Sequence, residues 1–472
     1  MDIETFVTPG LGDNTFLVGR GDEAVLVDPQ RDAWRFLDEA ERRGWRVRHV
    51  LETHVHNDYV SGALEARDRH GAEIHLAAGG APVGFPHAAV APGDEVVLGD
   101  LRFVVRAAPG HTFDHIAWDL RVAGAAAPEV VFSGGSLLVG TAGRTDLLGA
   151  GLAEELARLQ FRTVRELASL PPGVRLLPTH GAGSFCVANA PGSEARTSTI
   201  GTELASSAVL RVPDEGAFVR QQLSALGPYP AYYPRMAPIN RAGPPVLRRP
   251  PGMAVLSPVE AERRVLAGAV VVDARGREAF AAAHVPGSIN VELDDQFGTW
   301  VGWLVPFGTP LVLVLPDPSA EAAAEAGLQL LRIGWDDVAG RLVGGIDAWV
   351  ASGREVRSYP VATMPELHAH VRAGGDPGVI LDVRTPAEWR DDGLLPGTRP
   401  MFVGELPGRV GELDRATEHW VVCASGQRAG MAASILDAAD VPVRLVTGGG
   451  AVGWVERFAQ VEGSRTASSA GG

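Results

Sequence analysis

Hydrophobic positions along the first 216 residues or so come in short β-branched runs separated by polar turns. Ala24–Val27, His49–Glu52, Arg102–Ala107 and Val130–Phe132 read as buried strands. Trp34–Arg43 and Leu152–Leu170 carry their apolar residues at helical spacing and read as amphipathic helices. Histidines and aspartates gather in the loops directly after the strands, where side chains from several strand ends can converge.

From Leu226 to Gly252 this pattern breaks. The run GPYPAYYPRMAPINRAGPP is dense in proline, which withdraws backbone donors and favours extended chain. Tyr229, Tyr232, Tyr233 and Met236 are too apolar for a purely solvated linker, so the stretch reads as a connector packed against a domain. The chain then nearly repeats itself. VVDARGREAFAAAHVPGSIN (Val271–Asn290) is echoed by ILDVRTPAEWRDDGLLPGTRP (Ile380–Pro400), and GGIDAW (Gly344–Trp349) by GGAVGW (Gly449–Trp454). A period of about 105–109 residues is too long for a solenoid unit and suits tandem domains. Strands alternate with helices in each copy, which implies parallel α/β sheets. The expected division is residues 1–225, a connector at 226–252, repeats at 253–358 and 359–462, and a disordered tail at 463–472.

Composition narrows the partners. With 42 basic and 57 acidic residues the chain carries a net charge of −15, which disfavours nucleic acid and anionic membranes. Only Cys186 and Cys423 are present, so a disulfide framework is excluded and a reducing compartment is expected. The acidic start, Met1-Asp2-Ile3-Glu4, has no apolar leader behind it, and no run of about 18 apolar residues follows. A cytoplasmic location without membrane contact is the expectation.

In HWVVCASGQRAGMAASILDAA a buried-type strand ends at Cys423, and Ala424, Ser425, Gly426, Gln427 and Arg428 lead into an alanine-rich helix. Backbone N–H groups at a helix start point at whatever lies in front of them and bring a positive dipole end. A thiolate placed there is stabilised and nucleophilic. Gly426 permits a turn that a Cβ would obstruct, and Arg428 adds a fixed positive charge. A lone cysteine is ordinarily a small buried hydrophobe, but this context outweighs that reading. The run resembles the active-site loop of rhodaneses, and the DVR motif (Asp382, Val383, Arg384), Glu388, Pro396-Gly397 and the GG…W ending resemble the rest of that fold. The resemblance implies that Cys423 accepts a sulfane sulfur as a persulfide and passes it on. Gly393 departs from it, standing where the first repeat has His284. The first repeat has LVLVLPDPS (Leu311–Ser319) in place of the cysteine loop, and Pro316 and Pro318 remove N–H donors. It is expected to scaffold or dock.

Towards the N-terminus, THVHNDYVSG (Thr53–Gly62) places His54, His56 and Asp58 at alternating positions after a strand; PGHT supplies His111 and PTHGAGS supplies His180. Imidazoles and a carboxylate from three strand-end loops suit zinc or iron. The set resembles the metallo-β-lactamase fold, an αββα sandwich, and GRTDL (Gly143–Leu147) brings it near persulfide dioxygenases and glyoxalase II. The whole order of domains resembles persulfide dioxygenase–rhodanese fusions. That resemblance implies one ferrous iron, Fe(2+), held by two histidines, here His54 and His111, and an aspartate, with His56, Asp58 and His180 orienting substrate or ligands and Arg144 and Asp146 near the substrate. Cys186, six residues after His180, reads either as a lining of the substrate pocket that exchanges with a persulfide or as a buried packing cysteine. It also implies a homo-oligomer acting on a small thiol persulfide, with sulfite or thiosulfate as the other sulfur species. Two positions depart from it. Tyr59 stands where the family has a histidine, and Gly135, in FSGGSLL, stands where the family has the aspartate ligand. An aspartate restored at position 135 is expected to raise iron content.

Three functions follow: persulfide oxidation at iron coupled to sulfur transfer through Cys423, sulfur transfer alone with a metal-poor N-terminal domain, or thioester hydrolysis of the glyoxalase II kind. Tyr59 and Gly135 speak against the last, since both stand where a two-metal site needs ligands.

Overall fold

The computed structural model describes residues 1–188, 194–336, 338–395, 397–448 and 450. They form two compact units, one of Met1–Pro251 with Leu328–Asp336, the other of the remaining chain from Gly252. The echo at Gly449–Trp454 lies outside the described residues but for Gly450, as do Pro396 and the tail 463–472.

The first unit holds two six-stranded sheets, each with its strands side by side in chain order. One runs from Asp2–Thr8 to Ala88–Val90, the other from Glu95–Leu98 to Ser198–Thr199. In Leu101–Ala107 the alternate residues Leu101, Phe103 and Val105 turn inward, as a half-buried strand requires. They meet Phe16, Val25 and Leu51 of the other sheet, with Trp118 and Phe132, in one core between the sheets. The helices Trp34–Arg42 and Ala63–His70 cover the outer face of the first sheet through Phe36, Leu37 and Leu64. Ala153–Ala168 and Glu215–Ala225 cover the second through Val164, Leu167 and Phe218. This is the αββα sandwich, and it brings the loops after Arg46–Leu51, Leu101–Ala107, Val130–Gly134 and Arg175–Pro178 to bear on one another.

The connector departs from the extended conformation its prolines favour. Tyr233–Ala242 is a helix with Pro238 inside it. An interior proline costs about 3 kcal/mol; burial of Tyr233, Met236, Ala237 and Asn240 along one helix face offsets it.

The second unit holds two five-stranded, wholly parallel sheets of matching order. Leu311–Val314 occupies in the first sheet the place of His419–Val422 in the second. Residues 316–318 beyond it are exposed, and the Pro318 carbonyl accepts from Arg341 Nη1 at 3.0 Å. Among the described residues no helix is long and apolar enough to cross a membrane.

Candidate functional site

The buried strand His419–Val422 delivers Cys423, itself buried, to the start of the helix Gln427–Ala438. Gly426 takes a left-handed conformation, φ +97°, and turns its N–H onto Cys423 Sγ at 3.1 Å. That φ suits a residue without a Cβ. The other loop residues divide their work. Ser425 gives its carbonyl to Arg277 Nη1 at 2.9 Å, and the Gln427 side-chain amide donates to Asp294. Ala424 joins Cys423 to that exposed turn.

Arg428, expected as a catalytic cation, spends its fork on Glu388: Nη1 and Nη2 donate to the two carboxylate oxygens at 2.5 and 2.6 Å. Burial works to raise the Glu388 carboxyl, but the bonds and charge of Arg428 and the hydrogen bonds of Thr385 hold it down to about 2. Arg428 therefore acts on Cys423 as a nearby fixed charge.

The first repeat does more than scaffold. Arg277 bonds Glu292 through Nε and Nη2, both at 2.8 Å, leaving Nη1 for the Ser425 carbonyl. Its charge, too, lies near the Cys423 sulfur. Around it, Asn290 N–H donates to Ser434 Oγ at 2.9 Å and His284 pairs with Asp437 at 3.0 Å, so the degenerate repeat clasps the helix behind the cysteine. At the equivalent position Gly393 instead gives its carbonyl to Arg384. Arg277→Ala is expected to lower kcat/KM for thiosulfate roughly 10- to 100-fold, the worth of a charge-assisted hydrogen bond of about 1.5–3 kcal/mol. Steady-state kinetics with thiosulfate and with an uncharged sulfur donor check it; equal kinetics in wild type and variant would refute the role.

In the N-terminal unit His54, His56, His111 and His180 come together as the motifs predict. Ring centroids of His54, His111 and His180 lie 4.9, 5.4 and 5.3 Å apart pairwise. His111 Nδ1 donates to the Arg144 carbonyl at 2.7 Å and His180 Nδ1 to Asp13 at 2.8 Å. Each ring is thereby fixed with its lone pair on Nε2. Those Nε2 atoms, with His54 Nε2 and His56 Nδ1, are buried without a hydrogen-bond partner. Burial, then neighbouring rings, drive His54 and His111 well below the usual histidine range and keep them neutral. His56 goes the other way: against the pull of burial, Asp28 and Glu52, each 3.2 Å from Nε2, favour its proton.

Asp58 stands behind His180, 3.3 Å from Nδ1, beside Asp13. Burial raises both carboxyls to about 7. Asp58 lies on the Nδ1 side of His180 with both carboxylate oxygens buried and without a hydrogen-bond partner; Asp114 accepts from the Thr112 hydroxyl. Arg144 and Asp146, expected at the substrate, are locked together at 2.7 and 2.8 Å, and the remaining Arg144 donors hold the Phe185 and Gly227 carbonyls. Tyr59 stacks on His56 and donates to the Asp28 carbonyl.

Sequence reasoning missed His115 and the connector's Asn240. His115 Nε2 accepts from Gly135 N–H at 2.8 Å and pins the turn at the expected carboxylate position. Asn240 donates to the His56 and Tyr59 carbonyls at 3.0 and 2.8 Å and so braces the histidine loop. No spacing marks either residue, although an asparagine in so apolar a connector was a hint.

The fold implies a metal, zinc or iron, at these histidines. Iron held by two imidazoles and a carboxylate from position 135 does not fit. A Cβ on Gly135 would stand 2.4 Å from His111 Cδ2, so the ring fills the space the carboxylate needs. A cavity bordered by His54, His56, Glu52 and Phe85 measures about 20 Å³. That is room for about one water molecule.

The metallo-beta-lactamase superfamily matches residues 8–180, and the rhodanese-like domain matches 257–352 and 363–456. A hydroxyacylglutathione hydrolase of Rhodobacter capsulatus is 36% identical over 180 residues, which are 36% of this chain and 64% of that protein. One of Fuscovulum blasticum is 30% identical over 239 residues, 45% of this chain and 89% of its own. A crystal structure of a metallo-beta-lactamase from Staphylococcus aureus subsp. aureus COL shares 26% identity and a TM-score of 0.64, covering 72% of this chain and 98% of that one. This chain belongs to the metallo-beta-lactamase superfamily through its N-terminal domain and carries two rhodanese-like domains behind it.

Proposed function

We propose that the chain is a sulfurtransferase that carries sulfane sulfur on Cys423. The observation that carries this reading is the Gly426 N–H on Cys423 Sγ at the head of a twelve-residue helix, beneath the charges of Arg428 and Arg277. The Cys423 thiolate attacks the outer sulfur of thiosulfate or of a small thiol persulfide. A new S–S bond forms at Cys423, the donor's S–S bond breaks, and sulfite or a thiolate leaves with the electron pair. An acceptor thiolate or sulfite then takes the terminal sulfur from the Cys423 persulfide and returns the Cys423 thiolate. The Gly426 N–H and the two guanidinium charges lie close enough to receive the charge that develops on the transferring sulfur.

Oxidation of persulfide sulfur at iron, which the resemblance to dioxygenase fusions implies, forms no part of this mechanism, because position 135 supplies no carboxylate. Thioester hydrolysis by the N-terminal domain is a second reading, favoured by the 36% identity to a hydroxyacylglutathione hydrolase. Turnover of an S-acyl-glutathione by the full chain would support it.

The test is to incubate the full chain with thiosulfate and map its peptides by mass spectrometry. The Cys423 peptide is expected to gain one sulfur atom and to lose it on addition of cyanide. An unmodified Cys423 peptide overturns the proposal.

A further inference from the structure

Sulfur transfer through Cys423 makes no use of the chain's other cysteine. Cys186 lies on the loop after His180, buried, with its N–H on Ser184 Oγ at 3.1 Å and its carbonyl accepting from Arg144 N–H at 2.8 Å. The ligand atoms of His111, His180 and Cys186 all lie within 4.8 Å of one another. Both imidazoles present a buried Nε2 with no hydrogen-bond partner, and both are fixed through Nδ1.

Charge points to the thiol as the missing donor. A divalent ion among neutral imidazoles lacks an anionic ligand, and position 135 offers none. Asp13 and Asp58 engage the Nδ1 side of His180, and Asp28 and Glu52 engage His56 Nε2. Among the described residues, Cys186 is the anionic donor grouped with both His111 and His180, whereas Asp13 and Asp58 are grouped with His180 alone. We infer that the N-terminal domain binds zinc through His111 Nε2, His180 Nε2 and the Cys186 thiolate, a sulfur-containing site in place of a carboxylate-held iron. Thiolate with imidazole is a zinc donor set. The donors close by about an ångström to reach Zn–N of about 2.0–2.1 Å and Zn–S of about 2.3 Å. Binding exchanges the Cys186 S–H bond for a Zn–S bond and releases the proton to solvent. Burial holds the free Cys186 thiol well above its usual range, outweighing Arg144 and the Tyr233 hydroxyl, so the charge of the bound ion is what stabilises the thiolate.

The inference does not rest on sulfur transfer, which is read on Cys423. Its test uses the full chain as Cys423→Ser, so that Cys186 is the sole source of thiolate. Zinc-loaded protein is expected to show one sulfur among nitrogen scatterers in the zinc-edge X-ray absorption spectrum. Cobalt(II)-loaded protein is expected to show a sulfur-to-metal charge-transfer band in the near ultraviolet. Adding Cys186→Ser should remove that band and weaken zinc binding at least tenfold. A zinc shell without sulfur overturns the assignment, as does a band that survives Cys186→Ser. The absorption spectrum decides the matter even where the double variant folds poorly.

Discussion

Exchanging Cys423 for serine is expected to lower thiosulfate-dependent sulfur transfer by at least about a thousandfold, since loss of a nucleophile removes the covalent path and leaves only binding and positioning. Serine is nearly isosteric at this buried position and can still accept the Gly426 N–H, so the loop keeps its shape and the stability change stays within about 1 kcal/mol. What disappears is the chemistry. A hydroxyl beneath the same amide and guanidinium groups forms no persulfide. The variant should therefore melt with the wild type and bind thiosulfate, yet carry no adduct. Transfer at more than a tenth of the wild-type rate would place the nucleophile elsewhere. Arg277→Ala provides a graded comparison, because it leaves the sulfur in place and loosens the Ser425 carbonyl.

Why this loop was legible and its surroundings were not follows from distance along the chain. Cys423, Gly426 and Arg428 lie within six residues, and strand, turn and helix start are local events that glycine and alanine announce. Arg277 and Asp294 reach the same loop from 148 and 133 residues away. Nothing local marks them; Arg277 stands two residues beyond Arg275, the counterpart of Arg384 in the DVR motif, and only packing of one repeat on the other gives it a partner. For the same reason Arg428 reads as a free cation until Glu388 arrives from 40 residues upstream. The histidine pocket divides likewise. His54, His56, His111 and His180 sit at strand ends and were legible there. Asp13, Asp28, Glu52 and His115, which fix their rings or the turn beside them, belong to no motif. In the connector the prolines favour extended chain, but a helix forms because Tyr233, Met236 and Asn240 fall on one buried face. Burial decided where local preference pointed the other way.

Gly135→Asp, read from the sequence as a repair that raises iron content, is expected instead to cost metal and stability. The added Cβ would stand 2.4 Å from His111 Cδ2 and 2.9 Å from Nε2. His111 has little freedom to retreat, because it is buried, its Nδ1 holds the Arg144 carbonyl at 2.7 Å, and Gly143 closes in beside that nitrogen. The backbone is no freer, since Gly135 N–H is tied to His115. Overpacking of this kind costs about 1–3 kcal/mol, and an ionised carboxylate among neutral buried imidazoles adds a desolvation penalty unless a metal compensates it. Displacing His111 also removes one nitrogen from the zinc set that Cys186 completes. The variant is thus expected to melt a few degrees lower, with reduced zinc and no gain in iron by elemental analysis of protein produced in iron-supplemented medium. Sulfur transfer through Cys423 should persist, because its loop belongs to the other compact unit. One iron per chain at an unchanged melting temperature would show that His111 yields readily and that glycine at position 135 is the sole obstacle to a carboxylate-held iron.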